Sequence, residues 1–170
     1  GYLALEEWVL GELERGRPVD ELIQQVVTGN ECIAVLGTAI TIALQAEAVS
    51  ETVFPLVTSQ RLLDADHNRM IQDYTSPSLI GFRGPGDIKH VEAVKKANCR
   101  SVRRRELSWL IPLFFFSAKF KEGIRTAILS FPNNLPFQIE QHRTIPEAQE
   151  HLRQRALEYA ELVDIKHYRQ

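Results

Sequence analysis

From Tyr2 to Ala48 an apolar residue returns every three or four positions, and the pattern halts at Gly16 and again at Gly29 before resuming within a few residues. This punctuation constrains the fold more than any other feature of the chain. A period near 3.6 marks helices with one apolar side, and a glycine just past a helix end supplies the left-handed backbone that closes it. Joints as short as Gly16–Arg17 and Gly29–Asn30 leave room only for antiparallel helix neighbours. In the first helix Leu5, Trp8, Val9 and Leu13 form the stripe, with Glu6, Glu7, Glu12 and Glu14 between them. In the second, Pro18 suits the first turn, Asp20 and Glu21 complement the positive end of the helix dipole, and Val19, Leu22, Ile23, Val26 and Val27 carry the apolar face. The third is predicted to run from an N-cap at Asn30 to about Ala48. It is apolar on nearly every side, which requires neighbours all round.

The same signals continue along the chain. Ser50 is placed to cap a short segment that Pro55 perturbs, and Thr58 or Ser59 to open a helix reaching about Tyr74. Residues 75–87 then gather three Gly, two Pro, two Ser and one Thr, a loop signature between acidic helices in 1–74 and basic or neutral helices in 88–170. Asp87 is expected to cap a helix to about Asn98, and Ser101 to cap the next, carrying Trp109 and Phe114 to Phe116 into the core. A short helix is expected over Lys121 to Phe131, then a turn at Pro132 to Pro136. The last helix opens on a capping box of Thr144 and Glu147 and is striped by Leu152, Ala156, Tyr159 and Val163. No alternation of period two persists beyond four or five residues. The predicted class is all-α, a single helical domain over 1–170 built from antiparallel helix pairs, as a right-handed α-solenoid-like or an irregular helical array; no fixed repeat period distinguishes the two.

Composition matters for what it excludes. The 170 residues are 44% hydrophobic and 25% charged, with ordinary Gly and Pro content and two cysteines, which rules out disordered, collagen-like and disulfide-scaffold chains. Cys32 and Cys99 read as small buried apolar residues of a reducing, cytoplasmic compartment. The longest uncharged run, from Cys32 to Ala46, is shorter than the ~20 residues of a spanning helix, so no membrane partner is expected. No secretory signal is visible. Gly1 stands where a Met would, and the chain enters its helical pattern at once, so it reads as a piece of a longer protein.

Catalytic and ligand-binding motifs fail one by one. The glycine-rich GFRGPGD, with Gly81, Gly84 and Gly86, lacks the Lys-[Ser/Thr] of a phosphate loop and the preceding strand of a dinucleotide fold. Asp64 and His67 share a helix face while Asp66 does not, giving two metal ligands at most; a solvated face paired with Arg61 is the simpler reading. His90, His142, His151 and His167 are scattered, neither cysteine has a Cys or His within four positions, and no Gly-x-Ser-x-Gly elbow exists. No catalytic, cofactor or metal residue is therefore assigned, and the segment is read as non-enzymatic. The strongest chemical feature is a basic run: Lys89, Lys95, Lys96, Arg100, Arg103, Arg104 and Arg105, opposed only by Glu92. On a helix continuous through Cys99, Lys89, Lys96, Arg100 and Arg103 would share one face that could track phosphates. No aromatic residues interleave these charges as stacking platforms would. The reading adopted is a solvated face or one that pairs with acidic helices of the same chain; nucleic-acid binding through 89–105 is the alternative.

The opening YLALEEWVLGELERGRPVDELIQQVVTGNECIAVLGTAITIAL, the segment PLVTSQRLLDAD and the closing FPNNLPF and HYR resemble the helical region of large bacterial multidomain P-loop ATP-binding proteins, the STAND or AAA-type NTPases of the kind found in anti-phage defence. The resemblance implies that nucleotide binding belongs to a separate module of the parent. It also implies that this region is a scaffold or sensor whose partners are the parent's other domains or a protein trigger. It transfers no nucleotide-binding residue, since Walker A is missing here.

Overall fold

The computed structural model describes residues 2–30, 32–75, 92, 96–97, 99–137 and 139–169. Every regular element among them is helical, so the fold is all-α, and no strand occurs among the described residues. The helices are α1 (Tyr2–Glu14), α2 (Val19–Val27), α3 (Ile33–Ala46), α4 (Phe54–Val57), α5 (Gln60–Thr75), α6 (Ile111–Phe116), α7 (Lys121–Ser130) and α8 (Pro146–Glu161). Single 3-10 turns occupy Ser101–Arg104, Leu107–Leu110, Phe131–Asn133, Glu140–Thr144 and Ile165–Tyr168. No described helix is long and apolar enough to cross a membrane. The chain divides into two compact units, each drawn from both sides of the 75–87 segment, and the division falls inside α5: one unit is Gly1–Ala48 with Asp66–Glu106, the other Val49–Ala65 with Leu107–Gln170. The 75–87 loop itself lies outside the described residues, apart from the end of α5 at Thr75.

In the first unit α3 packs against both α1 and α2. Leu22, Ile23 and Val26 of α2 are buried, as the stripe requires, against Val35, Ala39, Ile40, Ile42, Ala43 and Leu44 of α3, with Val9 and Leu10 from α1. Each large aliphatic side chain removed from water contributes about 1.5–3 kcal/mol. Gly16 takes φ +83°, and its N–H bonds Leu13 O (2.9 Å) while that of Arg17 bonds Glu12 O (3.1 Å), the paired bonds that close a helix through a left-handed residue. The same device ends α3 with a non-glycine: Glu47 stands at φ 47°, ψ 43°, and Ala48 N–H reaches Ala43 O.

Two expectations shift here. Pro18 is the residue before α2 and not its first-turn residue. Asn30 does not cap α3; its side-chain amide donates back to Val26 O (2.8 Å), and α3 begins after Cys32. The reversal is local chemistry: with Gly29 at φ +73°, the Asn30 amide lies over the open carbonyls at the end of α2.

The second unit has an aromatic centre. Phe54, Phe114 and Phe120 meet with ring centroids 5.2–5.9 Å apart, beneath Leu107, Leu110, Ile111, Ile124 and Ile128, all fully buried. Ala156, Tyr159 and Val163 of the final stripe are buried, and Leu152 partly so. Ser50 and Ser59 make the N-terminal contacts expected of them, accepting from Val53 N–H (3.3 Å) and Leu62 N–H (3.4 Å). Trp109 and Phe116 do not enter the core as expected: they are 56% and 58% exposed, because the turn at Leu107–Leu110 and α6 bury the intervening Leu110, Ile111, Phe114 and Phe115 instead. The capping box of Thr144 and Glu147 does not form either. Ile145 occupies the cap position with no side-chain bond, and Thr144 Oγ donates back to Gln141 O (2.9 Å). Cys32 and Cys99 are unbridged, but exposed where burial was expected.

Candidate interaction surface

The basic run belongs to the first unit, and the continuous helix that would align it is absent. Arg100 adopts extended backbone (φ −67°, ψ 134°) and is followed by the 3-10 turn Ser101–Arg104, which ends any common helical face at Cys99. The charges nevertheless converge, on α1. Arg100 Nη1 donates to Glu6 Oε1 (2.9 Å) and Nη2 to Glu7, Arg103 Nη2 donates to Glu6 Oε2 (2.6 Å), and Lys96 Nζ to Glu7 Oε1 (2.8 Å). The two carboxylate oxygens of Glu6 thus hold two different guanidiniums, and Glu6 itself is only 9% exposed. Glu7 is exposed; the hydrogen bond from Lys96, reinforced by the Arg100 charge, holds its carboxyl below the ordinary value of 4.5. Arg105, beyond the turn, donates to Glu47 Oε1 (2.8 Å). Arg104 is exposed, with no acidic partner among the described residues. Lys89 and Lys95 lie outside the described residues.

The residue that organises this site was not singled out by sequence. Arg69 on α5 uses all five guanidinium N–H groups: Nε and Nη2 bond the Asp66 carboxylate (2.7 and 3.3 Å), Nη1 bonds Asp73 Oδ2 (2.8 Å), and Nη1 and Nη2 also bond the carbonyls of Arg103 (3.2 Å) and Arg105 (2.6 Å). Burial opposes its positive charge, yet the bonds to Asp66 and Asp73 outweigh that and raise its pKa. The spacing Asp66, Arg69, Asp73 at i, i+3, i+7 on one helix face was the available signal. Asp66 is buried at 3% exposure, so it belongs to no solvated face. His67 Nδ1 meets Glu106.

Two recesses adjoin these charges. One, of about 630 Å³, is lined by Glu7, Leu10, Gln45, Lys96 and Arg100. A smaller one, of about 200 Å³, is lined by Glu6, Thr38, Thr41, Arg69, Asp73 and Arg103. Two carboxylates and two guanidiniums there cancel, and the buried Arg103 Nε has no hydrogen-bond partner among the described residues. No group of three or more His, Cys, Asp or Glu among the described residues is arranged to hold a metal ion.

In the second unit Asp64 pairs with α8, not with Arg61: Tyr159 Oη donates to its Oδ1 (2.9 Å), and Arg155 lies 3.5 Å from the same oxygen. Arg155 also donates to Tyr159 Oη (2.7 Å) and lies 4.9 Å from its ring centre. Burial and the Asp64 charge push the Tyr159 hydroxyl far above its ordinary value, in keeping with its role as donor to Asp64. Gln60, one turn earlier on α5, donates to Leu152 O (2.8 Å).

No family model, no curated protein and no solved structure matches this chain.

Proposed function

We propose that this chain is a non-catalytic helical scaffold or sensor segment of a larger bacterial NTPase of the STAND or AAA type, acting in the cytoplasm through contacts with the parent's other domains or with a protein trigger. One observation carries the reading: Arg100 and Arg103, central to the basic run, are bound by the buried Glu6 of the same unit, with Lys96 on neighbouring Glu7. Charges committed to each other cannot also neutralise phosphates without breaking those bonds. A basic surface kept for nucleic acid would leave its guanidiniums open to the groove. The resemblance of the sequence to the helical region of such NTPases, and its want of a phosphate loop, support the same reading, as does a helical array's capacity to present a broad contact surface.

The test is direct. Fluorescence anisotropy with a generic DNA duplex at low salt is expected to show no binding by the wild-type chain. Glu6→Gln combined with Glu7→Gln, which releases the guanidiniums, is expected to create binding that weakens steeply with added salt. Salt-sensitive duplex binding by the wild type, lost in Arg100→Ala with Arg103→Ala, would establish the nucleic-acid alternative. ATP hydrolysis by the chain alone would overturn the non-catalytic assignment.

A further inference from the structure

In the second unit a groove of about 770 Å³ runs between α7 and the end of α8 with the turn that follows. Its middle is apolar and open to water: Leu129, Leu157 and Ile165 are 45%, 48% and 40% exposed. The α7 wall is base-rich, with Lys121 and Arg125 one turn apart and Glu122 beside them; the opposite wall is acid-rich, with Glu161 and Asp164 beside Lys166. Lys96, Arg100, Arg103 and Arg105 of the first unit are paired, but Lys121, Glu122, Arg125, Glu161 and Lys166 form no ion pair among the described residues. An apolar centre within a charged rim is the usual anatomy of a protein interface. Here the rim also indicates what the contact is. A partner bearing one sign of charge would be attracted by one wall and repelled by the other. A two-fold axis running along the groove, by contrast, sets each wall against the opposite wall of an identical copy, and the minority charges Glu122 and Lys166 on the two walls are again of opposite sign.

We propose that this groove is a self-association surface, through which two copies of the chain meet isologously, Lys121 and Arg125 of one facing Glu161 and Asp164 of the other, with Leu129 and Leu157 buried between them. In such an interface each contact occurs twice, so a single substitution acts twice and a compensating pair is repaired twice. The inference is independent of the parent protein's identity, because it requires only this chain.

Sedimentation equilibrium on the chain tests it. The wild type is expected to show a reversible monomer–dimer equilibrium that weakens with salt. Arg125→Glu alone and Glu161→Lys alone each place like charges opposite one another twice, and each is expected to weaken association by at least ~tenfold. An equimolar mixture of the two variants restores opposite charges at both positions and is expected to form a heterodimer near wild-type strength. Both positions are exposed, so unchanged circular dichroism and thermal midpoints are expected to verify folding. A monomeric wild type at all accessible concentrations overturns the proposal and leaves the groove to a different protein; a dimer indifferent to both variants, or variants that fail to rescue each other, overturns it equally.

Discussion

Replacing Glu6 by Ala removes the acceptor for two guanidiniums at once. Arg100 Nη1 and Arg103 Nη2 lie 2.9 and 2.6 Å from its two oxygens, and the three side chains keep only 15%, 20% and 12% of their exposure. Hydrogen bonds to charged groups contribute about 1.5–3 kcal/mol each, and removing one partner of a buried pair costs about 3–5 kcal/mol when the remaining charge has nowhere to go. Neither arginine is stranded completely, since Arg100 keeps Glu7 and Arg103 Nη1 stays 3.6 Å from Asp73, and both retain some contact with water. The expected loss is therefore about 2–3 kcal/mol, below the fully buried figure and well above the ~0–1 kcal/mol of a surface pair. Urea unfolding measures it through the midpoint at constant slope. Glu7→Gln, on a solvated carboxylate, is expected to change the midpoint far less. A double-mutant cycle between Glu6→Ala and Arg103→Ala should return a coupling of about 1 kcal/mol or more. A Glu6→Ala loss under ~0.5 kcal/mol, or a cycle that closes with no coupling, would refute the view that Glu6 anchors Arg100 and Arg103.

Four further outcomes follow from single contacts. The Glu7 carboxyl is depressed chiefly by Lys96 and that of Glu12 chiefly by Arg15, then Arg17. Their contribution is therefore complete above the ordinary value near 4.5 and is lost as pH falls through the lower folded values, so the urea midpoint should decline on acidification through this range and be flat with respect to these groups above it. Glu47→Gly relieves a left-handed non-glycine at the loss of one exposed bond from Arg105; calorimetry should show stabilisation of about 0.5–1 kcal/mol. A Cβ at Gly123 would sit 3.1 Å from Phe54 Cζ, so Gly123→Val should destabilise by about 1–3 kcal/mol despite removing a helix glycine, and Phe54→Leu in the same chain should recover part of it. Tyr159→Phe deprives Asp64 and Arg155 of a shared hydroxyl and should cost about 1–3 kcal/mol in urea unfolding.

The sequence carried the helices well where apolar period and glycine agreed. Leu22, Ile23 and Val26 are buried and Gly16 closes α1 because both follow from interactions within a few residues. It misled where two local chemistries competed. Asn30 can cap the helix ahead or the one behind, and nothing in the sequence ranks the two; Thr144 likewise chose the carbonyl of Gln141 over the N-terminus of α8. Trp109 and Phe116 stand in an apolar run that points to the core as a whole, whereas the turn before α6 selects which of its residues face inward. The convergence of Lys96, Arg100 and Arg103 on Glu6 and Glu7 was readable only as charge balance, nine acids against two bases over residues 1–55 and ten bases against five acids over 56–105. Opposite excesses can meet in many ways, and residue-level pairing depends on the break at Arg100, which breaks the helical face that would have been inferred.

That break also explains why so many charges are placed together. From Arg100 to Glu106 the chain has one 3-10 turn and one fully buried apolar anchor, Val102, too little to fix its path by packing. Arg69 supplies the missing constraint by binding the carbonyls of Arg103 and Arg105, and Asp66 and Asp73 hold Arg69 in the geometry to do so. Desolvating these ions offsets much of their mutual attraction, so an apolar replacement of similar shape would match them in stability. It would not offer directed donors to two particular carbonyls. What the ionic cluster adds is register: it specifies one path for a segment that apolar contacts leave free, and the same bonds that fix this path leave Arg100 and Arg103 committed to Glu6.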